Sequence, residues 1–384
     1  VRVLMVVGRA AGGVGAHVDA LVSGLRAEGH DVQVVAAGST ADTFGWHDAH
    51  RLWPVHAGAR APRGLLDWHR IMQLAGTVDV VHAHGHQAAV VAAVAVLRAR
   101  PQPRMVVSLH NDLPPATGGP GGLKSSVGRS AVGWALRRAD LVTGASDDLV
   151  ALAESLGAQR AEIAHVPSAR VAPLLDADRL TPDERALLLS GAGIPSGPPV
   201  VLVVSRIAPQ KDLGTLVAAA GLSASAASWV VVGDGDARLR SRLEEVAHGI
   251  RGPEGQPAGA TRPNVHFVGA RDDVTSWLRL ADLFVLTSRW EARALVVQEA
   301  MAAGVPVVAT RTGGLPGLLA GAGVLVPVGD PAATAAAVDR LLEDPDERAR
   351  LGAAGRAVAA SWDSPQDEAR RWADRYARDP RAMT

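Results

Sequence analysis

Short apolar runs recur along this chain, each followed by a stretch of helical period. Val3–Val7, Val32–Ala36, Val78–Ala83, Met105–Leu109, Leu141–Gly144 and Ile163–Val166 read as the strands of a first sheet. Residues 14–28 and 86–98 read as helices between them. Strands this uniformly apolar are buried on both faces, which predicts a parallel sheet with helices on either side. Residues 167–198 are richer in Pro, Gly and Asp and break the rhythm. It resumes with Val200–Val204, Trp229–Val232, Val265–Val268, Leu283–Leu286, Val307–Ala309 and Val324–Val326, then helices over 331–343 and 346–360. Asp363-Ser-Pro365 sets off a last amphipathic helix over 364–378. Gly118–Gly122 and Gly249–Pro263 read as surface loops. The expected class is α/β, with Rossmann-like domains over 1–180 and 181–363. Ligands of open parallel sheets sit beyond the carboxyl ends of the strands, and two such sheets facing each other make a cleft.

Composition narrows the chemistry. The 384 residues suffice for two domains, and 48% hydrophobic residues for a core in each. The absence of cysteine excludes disulfides, thiolate catalysis and Cys-based metal sites, and accords with a cytoplasmic home. A formal net charge of zero argues against a nucleic-acid partner held by bulk charge. No run reaches the ~18–20 apolar residues of a membrane span, and Val1–Val7 is expected as a strand rather than a signal peptide. Of 39 basic residues only Lys124 and Lys211 are lysine, so each carries more information than usual.

The strongest candidate is Glu291 with Glu299, eight residues apart. The first falls in a strand-to-helix loop and the second inside the helix. They are too far apart for a carboxylate dyad. Instead they flank a helix N-terminus, which suits an anion. An extended ligand with hydroxyls at each end and phosphate between, such as a nucleotide-sugar, would fit. The amides of Ala294, Leu295 and Val296 then face the phosphates. Arg206 and Lys211 follow the first strand of the second domain, and a positive charge at a helix start calls for an anion. Gly12, Gly13 and Gly15 follow strand one, where backbone can approach a phosphate or simply turn. Their spacing is not a dinucleotide fingerprint, and Ala37-Gly-Ser-Thr40 offers no acid for a ribose.

His82, His84 and His86 alternate at one strand end and His110 ends the next. Hydrogen bonds to sugar hydroxyls or phosphate are favoured for them over a metal, with one or two serving the loop backbone instead. The pairs Asp176/Asp178, Asp234/Asp236 and Asp344/Asp346 read as turns and helix starts rather than Mg²⁺ ligands. No metal and no cofactor is expected. Arg60–Met72 and Lys124–Arg138 are basic and amphipathic; surface-helix packing is favoured for them over an anionic membrane.

Taken in order, these motifs resemble the retaining glycosyltransferases of family 4, of the actinobacterial type, with the GT-B fold. The resemblance covers nearly the whole chain. It rests on Gly12-Gly13-Val-Gly15, Asp79-Val-Val-His-Ala-His84, Ser108-Leu-His110-Asn, Ser205-Arg206 with Lys211-Asp212, Val268-Gly269, Ala281–Ser288, and the Glu291–Glu299 segment with Gly304-Val-Pro-Val-Val after it. It implies that Arg206 and Lys211 hold a donor diphosphate, that Glu299 accepts from the ribose diol and that Glu291 orients the transferred sugar. It puts Gly13 behind the distal phosphate, His110 near the sugar and the base against the backbone around Val268. His84 and His86 fall to the acceptor. The last helix, 364–384, is expected to pack back on the first domain.

Many relatives read Glu-Gly-Phe-Gly where this chain has Glu291-Ala-Arg293-Ala294, which leaves the donor sugar open. UDP-linked N-acetylglucosamine or glucose is preferred, then GDP-mannose. The acceptor is a small molecule such as a cyclitol or a natural-product intermediate, or a lipid-linked sugar. A nucleotide-sugar epimerase or a sugar phosphorylase is the alternative; a pyridoxal-phosphate phosphorylase would have to use Lys124 or Lys211. A two-domain sugar-binding protein is a distant third, since it needs no paired diphosphate cations.

Overall fold

The computed structural model describes residues 1–10, 12–54, 61–113, 120–249 and 264–378. Most of the Gly249–Pro263 loop, residues 118–119 of the expected Gly118–Gly122 loop, and Arg60 of the first basic stretch lie outside them; Pro120 to Gly122 open a helix instead of a loop, with Pro at its first position. The chain divides into two compact units, Val1–Pro167 with Asp363–Thr384, and Ser168–Trp362. The division falls ahead of the expected boundary at 180.

Unit 1 alternates strands and helices: β1 (Arg2–Val7), α1 (Gly13–Ala27), β2 (Asp31–Ala36), α2 (Gly38–Phe44), α3 (Ala61–Ala75), β3 (Val80–His84) and α4 (His86–Arg98). It continues through β4 (Arg104–Leu109), α5 (Pro120–Leu136), β5 (Leu141–Gly144), α6 (Asp147–Ser155) and β6 (Ala161–Ile163). All neighbouring strands are parallel, in the order β2-β1-β3-β4-β5-β6. β6 lies earlier than the apolar run Ile163–Val166 suggests. Its partner β5 ends at Gly144, opposite Ile163, so little backbone remains to pair with residues past Ile163.

Unit 2 opens with α7 (Val171–Leu175) and α8 (Pro182–Gly191), where composition suggests a linker. β7 (Val200–Val204), a 3₁₀ turn (Pro209–Lys211), α9 (Leu213–Leu222), β8 (Ser228–Val232), α10 (Ala237–Gly249), β9 (Asn264–Gly269) and α11 (Val274–Leu280) come next. Then come β10 (Leu283–Leu286), α12 (Leu295–Ala302), β11 (Val307–Thr310), α13 (Leu315–Leu319), β12 (Val324–Val326), α14 (Pro331–Glu343) and α15 (Pro345–Ala360). The strand order is β12-β11-β10-β7-β8-β9, again parallel. Both faces of this sheet are covered by buried apolar clusters, as its near-continuous apolar strands require.

The chain then returns to unit 1 as α16 (Pro365–Ala377). Ser364 and Asp367 form a capping box at its start. Its Ala369, Trp372 and Tyr376 join Val18, Leu21, Val22 and Leu25 of α1 in one buried cluster. Gly24 permits the approach, since a Cβ there would come within 2.6 Å of the Ala369 methyl.

Strand order locates the chemistry. In unit 1 the winding reverses between β1 and β3, and in unit 2 between β7 and β10. Such reversals leave a crevice at the strand carboxyl ends. Gly12 follows β1 and His84 ends β3; Arg206 and Lys211 follow β7 and Glu291 follows β10.

Candidate functional site

In unit 2 the loop after β10 brings Glu291 onto Lys211. Lys211 Nζ lies 2.5 Å from Glu291 Oε1, and Ser288 Oγ donates to the same oxygen at 2.6 Å. Lys211 does not open a helix, as its position suggests; it ends the 3₁₀ turn. Asp212 follows in the left-handed region, at the N-cap of α9 but without a side-chain cap bond, and pairs with Arg289 at 3.3 Å. Arg206 is exposed and makes no ion pair with any described residue. Its strand-end loop is held from below: Ile207 and Gly235 bridge, and Gly233 and Gly235 leave no room for a Cβ against Ser205 and Ile207. Asp236 Oδ1 accepts from the N–H groups of Arg238 and Leu239 at the start of α10.

The Glu291 backbone is clamped by residues that sequence reasoning passes over. Gly314 N–H donates to the Glu291 carbonyl at 2.9 Å, and Thr310 Oγ1 donates to the Ser288 carbonyl at 2.6 Å. Gly313 sits at φ 50°, where a Cβ would overlap that same Glu291 carbonyl. The Gly313-Gly314 pair after an apolar strand is the available signal. Beyond Glu291, Ala294 is the N-cap of α12 and no side chain caps it. The first amides of this helix therefore stay available to an anion. Arg293 sets its guanidinium over the Trp362 ring, 5.3 Å from the centroid.

Glu299 lies inside α12, 3% exposed. Its Oε1 accepts from Ser168 Oγ at 2.6 Å and its Oε2 lies 3.5 Å from Arg170. Burial pushes its carboxyl above the ordinary carboxylate range, against the opposing pull of Ser168 and Arg170. Gln298 Oε1 accepts from the Ser168 N–H. Ser168 and Arg170 fall in the stretch that reads as linker; their position directly after an apolar strand is the only hint. Val268 stands at the end of β9, where a register shift against β8 pairs Val232 with Gly269.

Unit 1 gathers imidazoles. His84 Nδ1 and His110 Nε2 lie 3.1 Å apart, their rings within 8° of parallel. His17 of α1, which the sequence does not single out, packs edge-on against both. His82 is turned elsewhere, its two nitrogens on Tyr376 and Ser108. His86 starts α4 and makes neither contact. Burial lowers every one of these imidazoles: His17 and His86 to about 4, His110 to about 3, and His82 and His84 well below their ordinary value. All are neutral at pH 7, the form that binds metal as well as the form that bonds hydroxyls. Among the described residues His17, His84 and His110 set one ring nitrogen each within 4.8 Å of one another. Two of these rings already bond each other. His84 Nε2 and His86 Nε2 are buried without a partner. Gly12 caps α1 at φ 68°, and Thr40 Oγ1 latches the loop by accepting from Ala10 N–H and donating to the Gly8 carbonyl, each at 3.0 Å.

Each of the two parallel α/β units thus gathers its candidate residues at a winding reversal, where open sheets of this kind bind ligands. Comparison with known proteins makes this specific. Residues 12–169 match the model of the glycosyl transferase 4-like domain, and residues 198–344 that of the glycosyl transferases group 1. The chain belongs to the GT4-type glycosyltransferases. It is 34% identical over 244 residues to a D-inositol 3-phosphate glycosyltransferase of Xylanimonas cellulosilytica, covering 58% of this chain and 55% of that protein. It is 32% identical over 196 residues to a GDP-mannose-dependent monoacylated alpha-(1-6)-phosphatidylinositol monomannoside mannosyltransferase of Corynebacterium glutamicum, covering 47% and 48%. The chain thus matches about half the length of these curated relatives. The Anabaena protein HepE, solved with UDP, superposes with a TM-score of 0.79 at 22% identity over 98% of this chain and 99% of that one. Sucrose-phosphate synthase of Thermosynechococcus elongatus does so at 0.76 and 21% identity, over 98% of both chains. The fold is GT-B. No helix among the described residues is long and apolar enough to cross a membrane.

Proposed function

We propose that this protein transfers a hexosyl unit from a nucleotide-diphosphate sugar to an acceptor hydroxyl, with retention of anomeric configuration and without a metal. The observation that carries the reading is the Lys211–Glu291 pair beside the uncapped start of α12. An arriving diphosphate competes with Glu291 for Lys211. Lys211 then meets phosphate with Arg206 and the amides of Ala294, Leu295 and Val296, and Glu291 is released to accept from sugar hydroxyls. Glu299, already held by Ser168, receives the ribose diol; the backbone around Val268 receives the base. In unit 1, Gly12 and Gly13 serve the distal phosphate, His110 the sugar, and His84 and His86 the acceptor.

The bond from the anomeric carbon to the phosphate oxygen breaks with its electron pair going to the phosphate. Cations and helix amides stabilise that growing charge more in the transition state than in the ground state. The acceptor oxygen bonds the anomeric carbon on the same face, and its proton passes to the departing phosphate.

A UDP-linked donor is preferred, supported by the neighbour solved with UDP-glucose; GDP-mannose is second, supported by the mannosyltransferase relative. Both curated relatives carry inositol in the names of their acceptors, which supports a cyclitol, free or lipid-linked. The test is thermal shift over UDP-, GDP- and TDP-sugars, then nucleotide release with free inositol phosphate or phosphatidylinositol, and NMR of the product anomer. A UDP-sugar that stabilises the protein and is consumed only with an acceptor is expected. An isomerised sugar formed without acceptor would establish epimerisation instead. Binding of none of the nucleotides would overturn the assignment.

A further inference from the structure

The returning helix α16 ends a buried polar chain in unit 1. Tyr376 Oη lies 2.6 Å from His82 Nδ1, His82 Nε2 2.8 Å from Ser108 Oγ, and Ser108 Oγ 2.8 Å from Thr143 Oγ1. The chain ties α16 to β3, β4 and β5. Its direction comes from the donors. Burial holds the Tyr376 phenol well above its ordinary range, so it stays protonated. A protonated phenol with His82 Nδ1 as its one partner among the described residues has a donor to give there. His82 therefore accepts at Nδ1 and carries its proton on Nε2, where Ser108 accepts it. Turning this ring would strand two buried groups, at about 1–3 kcal/mol each. Trp372 packs on the same ring, centroids 4.4 Å apart. His82 in turn packs against His84 with centroids 4.1 Å apart, and His84 bonds His110.

We propose that α16 orients the His84–His110 pair through His82, so that Tyr376 and His82 are positioning residues for glycosyl transfer. This rests on the reading of His110 as a group that meets the sugar. Both Tyr376 and His82 are buried away from solvent. They hold the rotamer and the protonation pattern of the His84 and His110 imidazoles.

Tyr376→Phe keeps the ring and deletes the donor. Long-range proton–nitrogen NMR of the histidine rings should show His82 as the Nε2–H tautomer in the parent protein. In the variant the ring nitrogens of His84 and His110 should shift along with those of His82. The kcat should fall about ten-fold, the scale of a sub-ångström misplacement, with the donor KM held within about two-fold. Ser108→Ala loosens His82 from the other end and should move the same resonances, should the first variant fold poorly. Shifts confined to His82, or a lower melting temperature with unchanged kcat, would overturn the proposal. Shifts at His84 and His110 in a protein that consumes no nucleotide-sugar would sustain the relay and overturn the transfer reading.

Discussion

The two units share a six-stranded parallel sheet yet bury opposite chemistry at their strand ends. Unit 1 places neutral imidazoles there: His84 and His110, with His17 of α1 packed against both, each 9% exposed or less. Unit 2 places carboxylates against cations: Glu291 on Lys211, Glu299 beside Arg170. One fold thus makes two environments, and the difference lies in a handful of residues at the winding reversals. A surface of uncharged donors and acceptors suits hydroxyl groups. Ion pairs beside helix amides suit phosphate, because an anionic ligand competes for a cation that the protein already supplies.

The sharpest way to break this comparison is to strip the charge from unit 2. Glu291→Ala and Lys211→Ala should each lower turnover by well over ~10²-fold, the scale of one lost oxyanion contact. Near-normal initial rates in both would end the assignment. Gly313→Ala tests whether the Glu291 carbonyl needs its clamp. A side chain in the left-handed region costs about 1–2 kcal/mol, and the overlap with Glu291 adds to it. Denaturant unfolding should show that loss, with turnover reduced beside it; an unchanged midpoint and rate would remove the clamp from the account.

The units should also part company in acid. Imidazoles whose folded values are lowered contribute stability that is present above their unfolded pKa of about 6.5 and lost as pH falls toward the folded values. For His17 and His110 those are about 4 and about 3. Unit 1 should therefore weaken from about pH 6.5 down to pH 4, by up to about 1.4 kcal/mol per pH unit for each such ring. Hydrogen exchange on β1, β3 and β4 should report it; protection that stays flat over that window would mean the rings are not neutral and buried as described. Glu299 runs the other way. Its raised folded value means stability that is full below its ordinary range and lost as pH rises through the folded value. Glu299→Gln should thus raise the melting temperature at pH 7 more than at pH 4, while weakening nucleotide binding. A lowered melting temperature would show that the charge itself is needed for folding.

Much of this fold is legible because buried parallel strands leave unbroken apolar runs. Val3–Val7, Val200–Val204 and Val307–Ala309 fall inside β1, β7 and β11. Helix 86–98 matches α4 to the residue. The Glu291–Glu299 spacing is legible too, because a loop and a helix start separate the two. What stays hidden is what long-range contact decides. Strand order, which picks out β1/β3 and β7/β10 as the reversals, has no local signal. Ser168 looks like linker because its partner Glu299 lies 131 residues away. His82 and Tyr376 are 294 residues apart, and His17 is one polar position on an otherwise ordinary helix. The pattern around Lys211 points to phosphate but carries no hint that Glu291 holds it in the unliganded protein.

The route of the chain through its units has a consequence for synthesis. Unit 2 is a single uninterrupted segment, whereas unit 1 is split around it. A ribosome therefore releases all of Ser168–Trp362 before it delivers α16. Until then the cluster of α1 with β1 and β2 lacks Ala369, Trp372 and Tyr376, and Tyr376 has not reached His82. The part made first is the part finished last, and a nascent chain stalled just after Trp362 would carry one completed unit and one still awaiting its closing piece.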